Sequence, residues 1–129
     1  MTSSCKALVL RHWQAANDRD WTAFAELLAD DLVYQVPQTR EQVRGAAGYL
    51  DFFRTWPGDW RADVQQAIAD EGQAVTVLNF LTERDNPQAE QMTGITFFEV
   101  QDGRITRVTD HWPEPYEPPP RASVHVTRY

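Results

Sequence analysis

The stretch Gln101-Asp102-Gly103-Arg104-Ile105-Thr106-Arg107-Val108-Thr109-Asp110-His111-Trp112-Pro113 decides how this chain folds. Asp-Gly makes a tight turn, and the residues after it alternate as a strand does. Pro113 ends the pairing, because proline donates no ladder hydrogen bond. The strand thus finishes on an acid, an imidazole and an indole, groups that line the mouth of a pocket when they sit at a strand end.

Working back from the turn, Met92 to Val100 supplies the partner strand. Ala74 to Thr82 is another β-rich run, ending near Asp85-Asn86-Pro87. Before it, Trp60, Ala62 and Val64 alternate with Arg61, Asp63 and Gln65, and Asp70-Glu71-Gly72 makes a turn. Upstream the period becomes helical. Cys5, Val9, Trp13 and Ala16 define a first amphipathic helix from about Ser4 to Asn17, broken by Asp18-Arg19-Asp20. Asp20 caps a short second helix carrying Trp21, Phe24, Leu27 and Leu28, closed by Ala29-Asp30-Asp31. Leu32 to Val36 reads as a strand ended by Pro37, and Gln38 to Arg44 as a polar loop leading through Gly45 into a third helix. Tyr49, Phe52, Phe53 and Trp56 form its apolar stripe, and Pro57-Gly58 ends it. Helices first and a strand meander last predict an α+β fold, three helices on one face of a strongly curved antiparallel or mixed sheet.

At 129 residues the chain makes one domain, 1–129, with a Pro-rich tail from about 113. Residues 122–127 of that tail alternate and could add a short edge strand. No apolar run approaches a membrane span, and Met1 to Lys6 lacks the basic-then-apolar layout of a signal peptide. Cys5 is the only cysteine, which fits a reducing cytoplasm. A formal charge of −7 opposes binding to phosphate backbones, so nucleic acid is not an expected partner. His12, His111 and His125 lack metal-ligand spacing, and neither a Gly-rich phosphate loop nor a Gly-x-Ser-x-Gly elbow is present. No metal and no cofactor are expected.

Five Trp, six Phe and four Tyr can fill a core or wall a cavity for an apolar ligand, and different rings can do each. Around Thr96 both strand faces are apolar, with Thr96 and Phe98 on one side and Ile95 and Phe97 on the other. A sheet covered by helices on one side needs a single apolar face. The second predicts a homodimer across the open face, unless the chain's own tail covers it.

Several phrases resemble a known family. Ala25-Glu26-Leu27-Leu28-Ala29-Asp30-Asp31-Leu32-Val33, the Arg44-Gly45 helix entry, Asp102-Gly103-Arg104-Ile105 and the tail Trp112-Pro113-Glu114-Pro115-Tyr116-Glu117-Pro118-Pro119 are similar to the SnoaL-like branch of the nuclear transport factor 2 superfamily. The resemblance covers roughly Lys6 to Pro119. It implies a cone, a bent sheet wrapped around a long helix with a mostly apolar cavity. It spans ketosteroid isomerases, polyketide cyclases, epoxide hydrolases and proteins that only bind, so the site must be argued by residue.

Against the ketosteroid isomerases, the positions of the general base, the oxyanion tyrosine and the protonated carboxyl fall at Val36, Trp13 and Thr96. Valine can neither take nor give a proton. The water-activating Asp-Arg-Asp set of the epoxide hydrolases is not recognisable either. The resemblance to the cyclases instead places an acid near the end of the last strand, at Asp110. Apolar neighbours should raise its pKa and make it a general base; the alternative is a carboxylate held by backbone amides, Arg40 or Arg107. His111 alternates to the opposite face and joins Asp110 only through a bulge. Tyr34 shares a face with Leu32 and Val36, where its hydroxyl could donate to a ligand carbonyl or to a backbone group. Trp13, Val36, Phe53, Thr96, Phe98 and Trp112 are expected to wall the cavity. Asn79, polar in an apolar strand, is a candidate ligand contact or a structural amide. The expected ligand is a small apolar or aromatic molecule with one carbonyl or hydroxyl. The expected chemistry is a cofactor-free isomerase, cyclase or hydrolase step, or binding alone.

Overall fold

The computed structural model describes residues 4–129. Helix α1 is Cys5–Asp18 and α2 is Trp21–Glu26, followed by strands β1 (Leu28–Val36) and β2 (Glu41–Arg44). Helix α3 is Ala46–Arg54, and β3 (Arg61–Ala69), β4 (Gln73–Leu81), β5 (Gln91–Gln101) and β6 (Arg104–His111) complete the regular structure among the described residues. The six strands form one sheet in the order β2-β1-β6-β5-β4-β3. β1 runs parallel to β6, and every other pair is antiparallel, so the sheet is mixed. α1 lies over β3 and β4 and α3 over β1, with α2 packed against both helices.

The helix boundaries follow local chemistry. The Ser4 hydroxyl accepts from the Ala7 N–H, and the Asp20 carboxylate accepts from Ala23, each satisfying an amide that a helix start leaves free. Arg19 ends α1 at φ 59°, the left-handed conformation that terminates a helix. Asp102 and Gly103 take φ 53° and 75°, the paired positive values that a two-residue hairpin demands.

Three expectations need correction. Ala29-Asp30-Asp31 does not close α2; it belongs to β1, whose pairing with β6 shifts register between Leu28 and Val33. The segment 38–44 is not all loop. Glu41–Arg44 folds back on Val33–Val36 as a hairpin, with Arg40 at φ 61° in the turn. The edge strand expected at 122–127 does not form: residues 112–129 hold neither helix nor strand, and Val124 and Val126 are exposed. Further register shifts at Val64/Gln66 and Glu99/Val100 bend β3 and β5, which lets the sheet wrap the helices.

Candidate functional site

Period-two alternation sorts the sheet into two faces. Ala74, Thr76, Leu78 and Phe80 of β4, Gly94, Thr96 and Phe98 of β5, and Val108 and Asp110 of β6 are buried under the helices. Asp110 stands opposite Thr96, and Thr96 opposite Thr76, so one rung across three strands is polar on its inner side. Its hydrogen bonds are specific. Tyr34 of β1 donates its hydroxyl to Asp110 Oδ2 at 2.5 Å, and Thr96 donates to Oδ1 at 2.6 Å. At the far end of the rung, the Trp13 indole N–H donates to the Thr76 hydroxyl at 3.1 Å.

Burial sets the electrostatics. Loss of water pushes the Asp110 carboxyl above its ordinary value, opposed by the Thr96 and Tyr34 hydrogen bonds and the nearby His111 charge. The same burial, then the Asp110 charge, drives the Tyr34 hydroxyl far up, so it stays a donor. The carboxyl therefore meets two hydroxyls, and neither Arg40 nor Arg107 reaches it. Arg107 instead donates to the Gln35 amide oxygen and lies 3.9 Å from Glu99.

A second buried couple lies behind Tyr34. His12 Nε2 and the Tyr49 hydroxyl share a hydrogen bond of 2.7 Å, and the Tyr34 and Tyr49 rings are 5.1 Å apart. Burial lowers the His12 pKa to about 3, so the imidazole is neutral, and its Nδ1 has no partner among the described residues. Tyr49 is raised by burial and by the Asp110 charge. Neither His12 nor Tyr49 stood out as reactive in the sequence. The signal was available: Leu8, His12 and Ala16 recur at four-residue spacing on the buried side of α1.

The expected wall residues fall as follows. Trp13, Val36, Phe53, Thr96 and Phe98 are buried on the inner side. Trp112 is half-buried, edge-on to Phe80 at 5.5 Å, and Phe80 stacks on Trp60 at 5.7 Å. Two residues lie elsewhere. Asn79 alternates to the outer face, where its amide donates to Gln91 at 3.0 Å, because its neighbours Leu78 and Phe80 take the interior. His111 also faces outward, 5.6 Å from the Phe97 ring, so strand geometry keeps it from joining Asp110. Tyr34, expected to reach a ligand or a backbone group, instead reaches Asp110. Among the described residues no cluster of three or more His, Cys, Asp or Glu could hold a metal, and no helix is long and apolar enough to cross a membrane.

Helices packed on one face of a bent mixed sheet are an architecture the chain shares with an NTF-2-like solved structure, at 19% identity and a TM-score of 0.76. The model of the SnoaL-like domain matches residues 9–108, and the chain belongs to that family. It is similar to a candidate ketosteroid isomerase from Kribbella flavida DSM 17836, with 42% identity and a TM-score of 0.87, covering 96% of this chain and 88% of the other. An LEH-like epoxide hydrolase from M. tuberculosis shares the fold at 24% identity and TM-score 0.70, over 84% and 81% of the two chains. A candidate SnoaL-like polyketide cyclase from Shewanella denitrificans OS-217 shares it at 14% identity and TM-score 0.71, over 83% and 88%. No curated protein matches the chain.

Proposed function

We propose that the chain is a small-molecule enzyme whose inner sheet face binds an apolar compound with one carbonyl or hydroxyl, and that Asp110 is its general base in a cofactor-free proton-transfer step. One observation carries this reading: a buried carboxyl with a raised pKa, clamped by two hydroxyls within an aromatic interior. A carboxylate whose charged form is destabilised by burial is a stronger base, as proton removal beside a carbonyl requires.

The hydrogen bonds suggest how the step runs. As an anion, Asp110 occupies the Tyr34 hydroxyl as an acceptor. When it takes a proton from the carbon beside the substrate carbonyl, the C–H electron pair moves into an enolate. Neutral Asp110 can then donate to the Tyr34 oxygen, which frees the phenol proton to turn to the new oxyanion. Return of the proton from Asp110 to another carbon completes an isomerisation. The name of the 42%-identical relative makes a Δ5-3-ketosteroid the first substrate to try. The wild type should convert it to the conjugated enone, followed by ultraviolet absorbance, and Asp110→Asn should lower kcat by at least about a hundredfold. Full activity in Asp110→Asn would refute the mechanism.

A dimer formed through the open face is the second element of the proposal. Phe97 and Ile68 are 50% and 57% exposed there, beside a depression of about 660 Å³ that Val75, Thr109, Glu99 and Arg107 help to line. Glu99 and Arg107 sit opposite each other on β5 and β6, so a two-fold copy can meet each charge with its opposite. Sedimentation velocity should show a dimer for the wild type and a monomer for Phe97→Asp, with unchanged circular dichroism. A monomeric wild type at tens of micromolar would leave the face to another partner.

A further inference from the structure

The polar rung Asp110–Thr96–Thr76 has a neighbour. Leu78 pairs with Gly94, and since His111 pairs with Ile95, Trp112 stands over Gly94 one step further on. This second rung lacks a side chain at its centre. The Trp112 indole lies in the gap so closely that a Cβ on Gly94 would come within 2.9 Å of the ring. Phe80 and Gly94 hold the indole by packing alone, and the backbone behind it is weakly anchored. β6 ends at His111, Pro113 follows, and the Trp112 backbone N–H donates to the side chain of Gln38, at 3.2 Å in an exposed setting. Trp112 is half-buried, whereas Trp60, Phe80 and Asp110 around it are buried.

We propose that the Trp112 indole is a displaceable plug in a ligand slot over Gly94, and that the slot takes the oxygen-bearing end, about indole-sized, of an apolar ring compound. This rests on the reading of the inner face as a ligand site and adds the shape of the ligand and its way in. Side chains two apart on a strand are separated by roughly 7 Å. A bicyclic compound seated on the bare glycine therefore lies against Phe80 and brings an oxygen on its rim to Asp110 and Thr96. In the free protein the plug shields Asp110; the ligand gains the contacts the indole gives up and leaves the tryptophan at the solvent. Each binding event thus includes expulsion of the indole, which lowers the apparent affinity by the fraction of molecules still plugged.

The probe is 2-naphthol, and the readout is fluorine NMR of protein carrying 5-fluorotryptophan, with the Trp112 resonance assigned by its loss in Trp112→Phe. Saturation with 2-naphthol should move that resonance to a solvent-exposed position. Gly94→Ala should move it the same way without ligand. Trp112→Ala, with no plug to expel, should bind 2-naphthol about tenfold more tightly than the wild type; if that variant does not fold, Trp112→Leu serves. A Trp112 resonance that stays in its buried position with naphthol bound, or affinity in the truncated variant that is absent or no better than wild type, overturns the proposal. These readouts involve no turnover, and Asp110→Asn should still expel its indole. Loss of the plug and loss of the catalytic reading are therefore separate results.

Discussion

At Asp110, function and stability pull in opposite directions. Its pKa is raised on folding, so above the ordinary carboxylate value the folded state retains a proton that the unfolded chain releases. Stability is then fully present at acid pH and falls as pH rises towards the folded-state value. Asparagine at this position carries no charge and keeps an acceptor for Tyr34 or Thr96. Asp110→Asn should therefore withstand more urea than the wild type at pH 8, with the advantage fading below about pH 4. Equal midpoint differences at both pH values would show that the buried acid is not strained. Much at this scale was legible: period two alone places Asp110 inward and His111 outward. The partners of Asp110 were not, because Tyr34 and Thr96 lie 76 and 14 residues away in sequence, on different strands. For Asn79 the residue type alone left a ligand contact and a structural amide open, and alternation sets it opposite Leu78 and Phe80.

At the scale of elements, the end of α1 is tied to the sheet by side chains. The Asn17 amide both donates to and accepts from the Ala62 backbone at 2.8 Å. Arg84 donates to the Asn17 and Trp60 carbonyls, and Arg19 to those of Ala16 and Trp60, satisfying acceptors that a helix end leaves open. Asp59 lies between the two guanidiniums, 3.1 Å from Arg84 and 3.6 Å from Arg19, and Arg19 covers the Trp60 ring at 4.0 Å. Arg84→Ala removes one of two donors to the Trp60 carbonyl and the shorter of two to that of Asn17, together with a positive charge facing the helix C-terminus. It should cost about 1–3 kcal/mol in chemical denaturation. Arg84→Lys should recover only part of this, since one ammonium cannot hold both carbonyls and also meet Asp59, as Nη2 and Nε of the guanidinium do. A loss under half a kilocalorie would make the clasp superficial. None of it shows in sequence, where Arg84 sits in a polar turn like any other. The β2 hairpin was hidden for a related reason: Glu41–Arg44 has one apolar residue, so a partly exposed edge strand leaves no periodic mark. The long alternating strands and the α1 stripe, where burial is one-sided, were fully readable.

Across the whole molecule, buried polar groups run through an aromatic core, with Thr96, Asp110 and Tyr34 at one end and Tyr49 and His12 at the other. Their titrations oppose each other. His12 is protonated near its ordinary 6.5 when unfolded but stays neutral down to about 3 when folded. Between those values the unfolded chain binds more protons, so this contribution is present above pH 6.5 and drains away as pH falls. The slope is at most about 1.4 kcal/mol per pH unit for one proton. Asp110 slopes the other way over the part of this range between its ordinary and its raised value. The wild type should thus show a shallower acid limb than His12 alone would give. Two variants separate the contributions in urea midpoints measured from pH 3 to pH 8. His12→Phe suits a site ringed by Trp13, Phe24, Phe53 and Phe98. It should lose stability at pH 8, because the Tyr49 hydroxyl is left unpaired, yet have a flatter acid limb. Asp110→Asn should have a steeper one. If His12→Phe kept the wild-type steepness below pH 6.5, the imidazole would already be charged in the folded protein, and the neutral His12–Tyr49 couple would have to be abandoned.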